Sequence, residues 1–184
     1  MSANAVQPSA TSWQIDPVHT TAEFKVRHMM ITNVKGRFTG VKGVVTLDEN
    51  DLTKSRVEAS IDATSIDTRE ADRDAHLKSA DFLDVESFPQ LTFVSTAIKR
   101  VTEDEVNVEG DLTIHGITRP VTFRVDGPTK PAKDPWGNTR IGFSAQTKIR
   151  RGDFGLTWNT ALETGGILVG DEVTITLEVQ AVRS

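Results

Sequence analysis

Four histidines, His19, His28, His76 and His115, are the residues of this sequence with the most versatile side-chain chemistry. Imidazole serves in general acid–base catalysis and is the commonest metal ligand in proteins. No two of them have the His-x-x-x-His spacing that places two metal ligands on one helix face. Asp72 and His76 are four residues apart, so they would share a helix face, where Asp72 would orient His76. The alternative is a metal-assisted enzyme in which His28 joins this pair in space.

Other kinds of active site are missing from the sequence. The absence of cysteine excludes disulfides, thiol nucleophiles, cysteine zinc sites and iron–sulfur clusters. No G-x-S-x-G nucleophile motif or glycine-rich phosphate loop is present. With 21 basic and 26 acidic residues the net charge is −5, which argues against a nucleic-acid partner. We therefore predict a protein that is not an enzyme and has no cofactor and no metal, and the lack of long apolar runs predicts no transmembrane helix.

Alternating apolar and polar residues occupy most of the 184-residue chain, as Val173 to Ala181 illustrates. This period of two is typical of antiparallel strands with one face in the core. It predicts eight strands in one domain, near residues 13–28, 36–48, 54–66, 90–101, 104–115, 119–127, 139–150 and 170–183. Strands this long must close into a barrel or pair as a sandwich.

Three segments depart from the alternation. Asp67 and Glu70 have the spacing of a capping box, which predicts one helix over about residues 68–80. The proline-rich stretch 127–138, which contains Trp136, is expected to be an exposed loop. Residues 1–12 lack the apolar core of a signal peptide, so we expect a disordered lead-in and a cytoplasmic protein. A periplasmic or secreted location would follow if further residues precede this sequence.

Small residues on the apolar strand faces raise the question of whether the interior is filled. Ala59, Ala63 and Ala145 lie on the faces predicted to point inward. An eight-stranded barrel has an interior just wide enough to be filled by side chains or to hold one small ligand. The pattern alone leaves both outcomes open.

Several motifs along the chain together resemble one protein family. The N-terminal part contains Trp13-x-Ile15-Asp16-x-x-His19-Thr20 and Phe24-x-Val26-x-His28-Met29. The most distinctive stretch is Asp67-Thr68 followed by Arg73-Asp74-x-His76-Leu77-x-Ser79-x-Asp81-Phe82-Leu83-Asp84. Later stretches are Gly110-Asp111-Leu112-Thr113-Ile114, Asp134-Pro135-Trp136-Gly137 and Asp153-Phe154-Gly155. From about residue 13 to 182 the chain resembles the YceI-like family of polyisoprenoid-binding, lipocalin-like proteins.

The resemblance implies a single domain over residues 13–184, an eight-stranded antiparallel lipocalin-like barrel with the helix near one end. It also implies an apolar pore that holds a polyisoprenoid, an isoprenoid quinone-like lipid or another long-chain amphiphile, in a carrier or store that forms a homodimer. The residues expected to line the pore are Phe24, Val26, Val45, Ala59, Ile61, Ala63, Phe93, Leu112, Phe123, Phe143, Ala145, Ile175 and Leu177. His28, Asp72 and His76 are the candidates for contact with a polar head group.

Overall fold

The computed structural model describes residues 9–184, most of which lie in antiparallel strands. The strands of this part are β1 (Ala10–Ile15), β2 (Thr21–His28), β3 (Thr32–Phe38), β4 (Val41–Asp48), β5 (Arg56–Asp62), β6 (Ile66–Asp67), β7 (Gln90–Arg100), β8 (Glu105–Ile114), β9 (Ile117–Asp126), β10 (Ala132–Lys133), β11 (Thr139–Arg150) and β12 (Val169–Arg183). The same part of the chain contains one α-helix, α1, which spans Ala71–Lys78. No helix within residues 9–184 is long and apolar enough to cross a membrane.

The sheet closes on itself. From β11 the pairing runs through β9, β8, β7, β5, β4 and β1 to β12, and β12 pairs with β11 again. The strands β2, β3 and β6 continue the chain passes of β1, β4 and β5, so eight passes form the wall. The predicted eight-stranded antiparallel barrel with one helix is confirmed.

Three neighbouring passes are broken where the sequence analysis expected continuous strands. Pro17 has no backbone N–H for the ladder, and a 3-10 turn over Pro17–His19 separates β1 from β2. A second 3-10 turn over Ala63–Ser65 separates β5 from β6. Ser65 Oγ accepts hydrogen bonds from the backbone N–H groups of Thr39 and Gly40, between β3 and β4, at 3.2 and 3.0 Å. The side chain thus satisfies donors that the interrupted ladder leaves free.

The first strand begins earlier than predicted. Residues 10–12, expected in a disordered lead-in, belong to β1 and pair with β4. The alternation continues to Thr11, which lies on the same strand face as the fully buried Trp13. The Thr11 hydroxyl accepts a 2.8 Å hydrogen bond from the Trp13 indole. Ser9, before the strand, donates a hydrogen bond to Asp48 at 3.0 Å, and residues 1–8, the rest of that expected lead-in, lie outside the described residues.

The helix is shorter than predicted, and Asp67 does not cap it. The N-cap is Glu70, whose carboxylate accepts from the Asp72 N–H at 3.3 Å. Arg69 has a φ of 63°, a left-handed conformation that prevents the helix from starting at residue 68. Asp67 accepts instead from the Arg69 N–H at 2.8 Å, in the turn before the helix.

The two ends of the barrel differ in what surrounds them. We call one the helix end: α1 packs there through His76 on Trp158, next to the β2–β3 turn. At the other, which we call the ion-pair end, Arg140 bonds to Asp16 and Asp134. Residues 127–138 form a long connection at the ion-pair end, with Trp136 exposed as predicted.

Candidate functional site

An apolar cavity of about 610 Å³ occupies the barrel interior. Its volume falls within the range of roughly 300–1,000 Å³ that is usual for ligand pockets. Twelve of the thirteen side chains predicted to line a pore lie on its wall: Phe24, Val26, Val45, Ala59, Ile61, Phe93, Leu112, Phe123, Phe143, Ala145, Ile175 and Leu177. The alternation therefore identified the inward face on β2, β4, β5, β7, β8, β9, β11 and β12.

The cavity exists because the inward side chains do not meet across the barrel. Ala59, Phe143, Ile175 and Leu177 face inward yet are only half-buried. All four line the cavity, so their remaining exposure is to its empty volume. The interior is therefore hollow, and the filled-core alternative does not hold.

Ala63 is the exception among the predicted pore residues. It is fully buried but lies in the 3-10 turn after β5 and not on the cavity wall. Its N–H donates to the carbonyl of Pro89 at 2.9 Å, because the strand has ended at Asp62. The period of two continues in the sequence beyond the point where the backbone leaves the strand, and this explains the error.

The three predicted head-group residues, His28, Asp72 and His76, all line the cavity. They lie at the helix end and are half-buried or exposed, so the cavity reaches the protein surface beside them. His76 is fixed in place from two sides. Its Nε2 lies 2.9 Å from Asp81 Oδ2, and its ring packs edge-on against Trp158 with centroids 4.7 Å apart.

A buried arginine at the same end holds the irregular part of the cavity wall. Arg151 is only 6% exposed and also lines the cavity. Its guanidinium donates to the carbonyl oxygens of Leu156, Trp158, Val169 and Gly170 at 2.6, 2.9, 3.2 and 2.8 Å. Burial lowers the pKa of Arg151, with the charge of the Asp171 carboxylate opposing that shift. One side chain thus ties the ends of the 156–170 segment together.

Comparison with known proteins agrees with this geometry. A model of the YceI-like domain matches residues 13–181. The chain belongs to the YceI-like family.

Relatives and solved structures extend the YceI-like assignment. Protein YceI of Salmonella newport is 39% identical over 150 residues, covering 80% of this chain and 78% of the relative. The crystal structure of Burkholderia cenocepacia BcnA superposes with a TM-score of 0.77 at 25% identity, covering 90% of this chain and 98% of that one. A polyisoprenoid-binding domain from Saccharophagus degradans has the same fold, with a TM-score of 0.69 at 14% identity and coverage of 95% and 99%.

The metal-assisted alternative depends on His28, Asp72 and His76, all of which lie on the cavity wall of this YceI-like barrel. Across residues 9–184, no three His, Asp or Glu side chains lie close enough together to hold a metal ion. His76 pairs with Asp81, and the orienting role expected of Asp72 is not seen. Asp81 follows His76 by five residues and lies beyond the C-terminus of α1. The i,i+4 rule for neighbours on a helix does not cover this spacing.

Sequence reasoning also missed Arg151 and Trp158 as cavity residues. Arg151 follows β11 directly and lies just beyond the strand predicted over residues 139–150. Its partners are carbonyl groups of a segment without regular alternation, so no side-chain pattern indicates them. Trp158 lies in the same segment and packs on His76 of α1 and on Phe82.

Proposed function

We propose that this protein binds a polyisoprenoid or a similar long-chain amphiphilic lipid inside the barrel, as a carrier or store. The observation behind the proposal is the apolar cavity of about 610 Å³, walled by side chains from nearly all strands. A structural neighbour described as a polyisoprenoid-binding domain shares the fold. That neighbour supports polyisoprenoids, including quinone-like ones, as the first ligands to test. Binding, rather than catalysis, is then the activity of the protein.

The energetics favour a long apolar ligand over a compact one. Burial of each CH₂ group contributes about 0.8 kcal/mol, so a five-carbon prenyl unit gains on the order of 3–4 kcal/mol. Association and ordering of the chain oppose this by several kcal/mol. A few prenyl units in the cavity are therefore enough for tight binding, and each shorter homologue should bind more weakly.

The polar end of the ligand is proposed to lie at the helix end. His28, Asp72 and His76 supply hydrogen-bonding groups there, whereas most of the wall is aliphatic or aromatic. A head group needs only a few such partners to fix its orientation. The contacts of His76 with Asp81 and Trp158 hold its ring ready for this role.

Extraction of the purified protein with organic solvent, followed by mass spectrometry, tests the proposal. We expect a stoichiometric long-chain lipid, or uptake of an added prenyl quinone where the protein is purified empty. A protein that yields no lipid and takes up none would contradict a lipid-binding function.

A substitution inside the cavity sharpens the test. Ala59 is half-buried and faces the cavity, so the ring of Ala59→Trp would occupy the ligand volume without strain. We expect lipid to be lost while the melting temperature stays close to that of the wild type. A filled interior would instead be overpacked and lose about 1–3 kcal/mol. Gln146→Trp, on the exposed outer face, is the matched control and should retain the lipid.

A cytoplasmic location, a homodimer and the absence of a cofactor stay predictions. Cell fractionation tests the location, and light scattering of the purified chain tests the oligomeric state. Absorption spectra and metal analysis of the same sample test the cofactor and metal predictions.

A further inference from the structure

The turn between β2 and β3 has a conformation that its sequence does not favour. Met29 and Met30 have φ angles of 51° and 60°, and the Ile31 N–H donates to the His28 carbonyl at 3.0 Å. Positive φ at both central residues is the pattern of a type I′ turn, which is dominated by Gly, Asn and Asp. Two methionines therefore hold a left-handed backbone at some expense of stability, although Asn-Gly would adopt it readily.

The same turn exposes apolar side chains to solvent. Met29 is 42% exposed, Met30 59% and Ile31 68%. Ile167, 40% exposed, follows Gly166, against which the Met30 sulfur lies. We call Met29, Met30, Ile31 and Ile167 the apolar tip. The backbone conformation of the tip and the exposure of its apolar side chains are both unfavourable for the protein alone. This cost indicates that the exposed side chains have a function.

Positive charge lies on the same hairpin as the apolar tip, with Arg27 next to Met30 and Lys25 and Lys35 further along the strands. Lys25 and Arg27 on β2 and Lys35 on β3 are exposed on the outer face of the hairpin. Lys25 is directly opposite Lys35 in the register, and like charges in that position repel. Within residues 9–184 no ion pair joins any of the three to a carboxylate. This hairpin is basic although the whole chain has a net charge of −5.

The apolar tip also borders the opening of the cavity. His28 precedes it in the chain and lines the cavity, as do Leu168 and Val169 after Ile167. The Met29 N–H donates to the Leu168 carbonyl at 2.7 Å, which joins the two halves of the tip. A surface in contact with the tip would therefore lie next to the cavity opening.

We propose that the apolar tip and its three flanking cations form a docking surface for an anionic lipid bilayer. The methionine and isoleucine side chains insert at the level of the head groups, and Lys25, Arg27 and Lys35 contact the lipid phosphates. Docking itself is independent of what the cavity holds, whereas its use for loading the cavity from the membrane rests on the proposed function.

A bilayer fits the observations better than a protein partner does. A stable protein interface needs about 20–30 residues on each side, far more than the apolar tip and its cations provide. A few apolar side chains beside basic ones are sufficient at a membrane, because hydrophobic insertion and attraction to anionic lipids add together. The repulsion between Lys25 and Lys35 would also be relieved by phosphates between them.

Co-sedimentation of the full chain with phosphatidylethanolamine–phosphatidylglycerol vesicles tests the proposal. The decisive variant is Met29→Asn combined with Met30→Gly, which favours the same turn while removing two apolar side chains. We expect it to bind vesicles at least about tenfold more weakly. Its melting temperature should equal or exceed that of the wild type, and its lipid content per protein after incubation with detergent-solubilised lipid should be unchanged.

A second variant tests the charges without touching the turn. Lys25→Gln combined with Lys35→Gln should weaken vesicle binding by about fivefold per charge and reduce its salt dependence. Val101→Ser, which removes an apolar side chain 50% exposed in the β7–β8 turn, is the control and should bind as the wild type does. Vesicles of phosphatidylcholine alone should bind the wild type more weakly.

Two results would overturn the proposal. One is a wild-type chain that does not sediment with the anionic vesicles, and the other is a Met29→Asn, Met30→Gly variant that binds as strongly as the wild type. Vesicle binding by a wild-type protein that neither contains nor takes up a lipid would leave docking supported and contradict the lipid-binding function. The failures of the two proposals are thus distinguishable.

Discussion

At the ion-pair end of the barrel an arginine is neutralised by two carboxylates, whereas at the helix end a buried arginine bonds only to carbonyl oxygens. Arg140 donates to Asp16 Oδ2 at 2.6 Å and to Asp134 Oδ2 at 2.7 Å. The guanidinium holds the pKa of Asp16 at about 2 and that of Asp134 well below its usual range. The same two hydrogen bonds raise the pKa of Arg140.

The two arginines differ in the kind of structure that they connect. Arg140 joins elements that are already tied by strand pairing, since β1 and β11 both pair with β12 nearby. Arg151 holds the 156–168 segment, which forms no long strand and contributes Leu156, Trp158 and Leu168 to the cavity wall. The segment at the cavity opening is therefore held mainly by side-chain bonds to the main chain, from Arg151 and from Asn159 to Val169, while the opposite end is also held by strand pairing.

The largest expected effect is the loss of Arg151. Arg151→Met would keep most of the side-chain volume but remove the guanidinium donor from four carbonyl groups, of which that of Val169 keeps a hydrogen bond from Asn159. Because unsatisfied buried polar groups are costly, we expect the free energy of unfolding to fall by about 3 kcal/mol or more. Urea denaturation measures this, and bound lipid should decrease as well.

Arg140→Met is the matched comparison for Arg151→Met. Asp16 and Asp134 keep some exposure, so water can hydrate the freed carboxylates and the loss should be smaller. Equal losses from the two variants would contradict the difference that we draw between the ends.

A smaller effect is expected from acid, and it should act on the ion-pair end. Because the pKa of Asp16 is lowered from 3.8 to about 2 on folding, its contribution is fully present above about pH 4. That contribution is lost as the pH falls through 2, where the folded protein also protonates Asp16. Asp16→Asn removes it at all pH values, so the variant and the wild type should converge in stability between pH 4 and 2.

The measurement for Asp16 is urea unfolding of both proteins across this pH range. We expect the wild type to exceed Asp16→Asn by about 1 kcal/mol at neutral pH, once solvent screening of the ion pair is considered. A difference that stays constant down to pH 2 would show that the carboxylate charge is not what stabilises this end.

The sequence predicts the regular part of the molecule well and the helix end less well. Alternation depends only on which face of a strand is in contact with solvent. It therefore predicts the eight passes and the twelve wall residues from Phe24 to Leu177. It cannot indicate where a pass is interrupted, and Ala63 was misplaced for that reason.

At the helix end, the structure depends on backbone features that residue types do not reveal. Capping-box spacing pointed to Asp67, but the left-handed Arg69 moves the helix start to Ala71. The buried Arg151 was likewise missed, because its partners are main-chain carbonyls of an irregular segment. The polar candidates His28, Asp72 and His76 followed from the expected position of the helix near one end of the barrel, and all three line the cavity.

The smallest expected effect separates two aspartates before and within α1. The Asp74 carboxylate accepts from both the N–H and the hydroxyl of Thr68, at 2.9 and 2.5 Å, and so joins the helix to the preceding turn. Asp67 bonds to the Arg69 N–H and forms only an exposed ion pair with Arg37, at 3.4 Å. Loss of a side chain that caps backbone donors costs about 1 kcal/mol, so we expect Asp74→Ala to lower stability by this amount.

Asp67→Ala should lower stability by less than Asp74→Ala does, because it loses one hydrogen bond to an exposed backbone donor and an exposed ion pair that contributes little. Thermal unfolding of the two variants and the wild type in parallel makes the comparison. A larger loss from Asp67→Ala than from Asp74→Ala would mean that the capping box suggested by the sequence, and not the Asp74–Thr68 contact, holds the start of α1. Because α1 positions His76 at the cavity opening, the more damaging variant should also be the one that binds lipid more weakly.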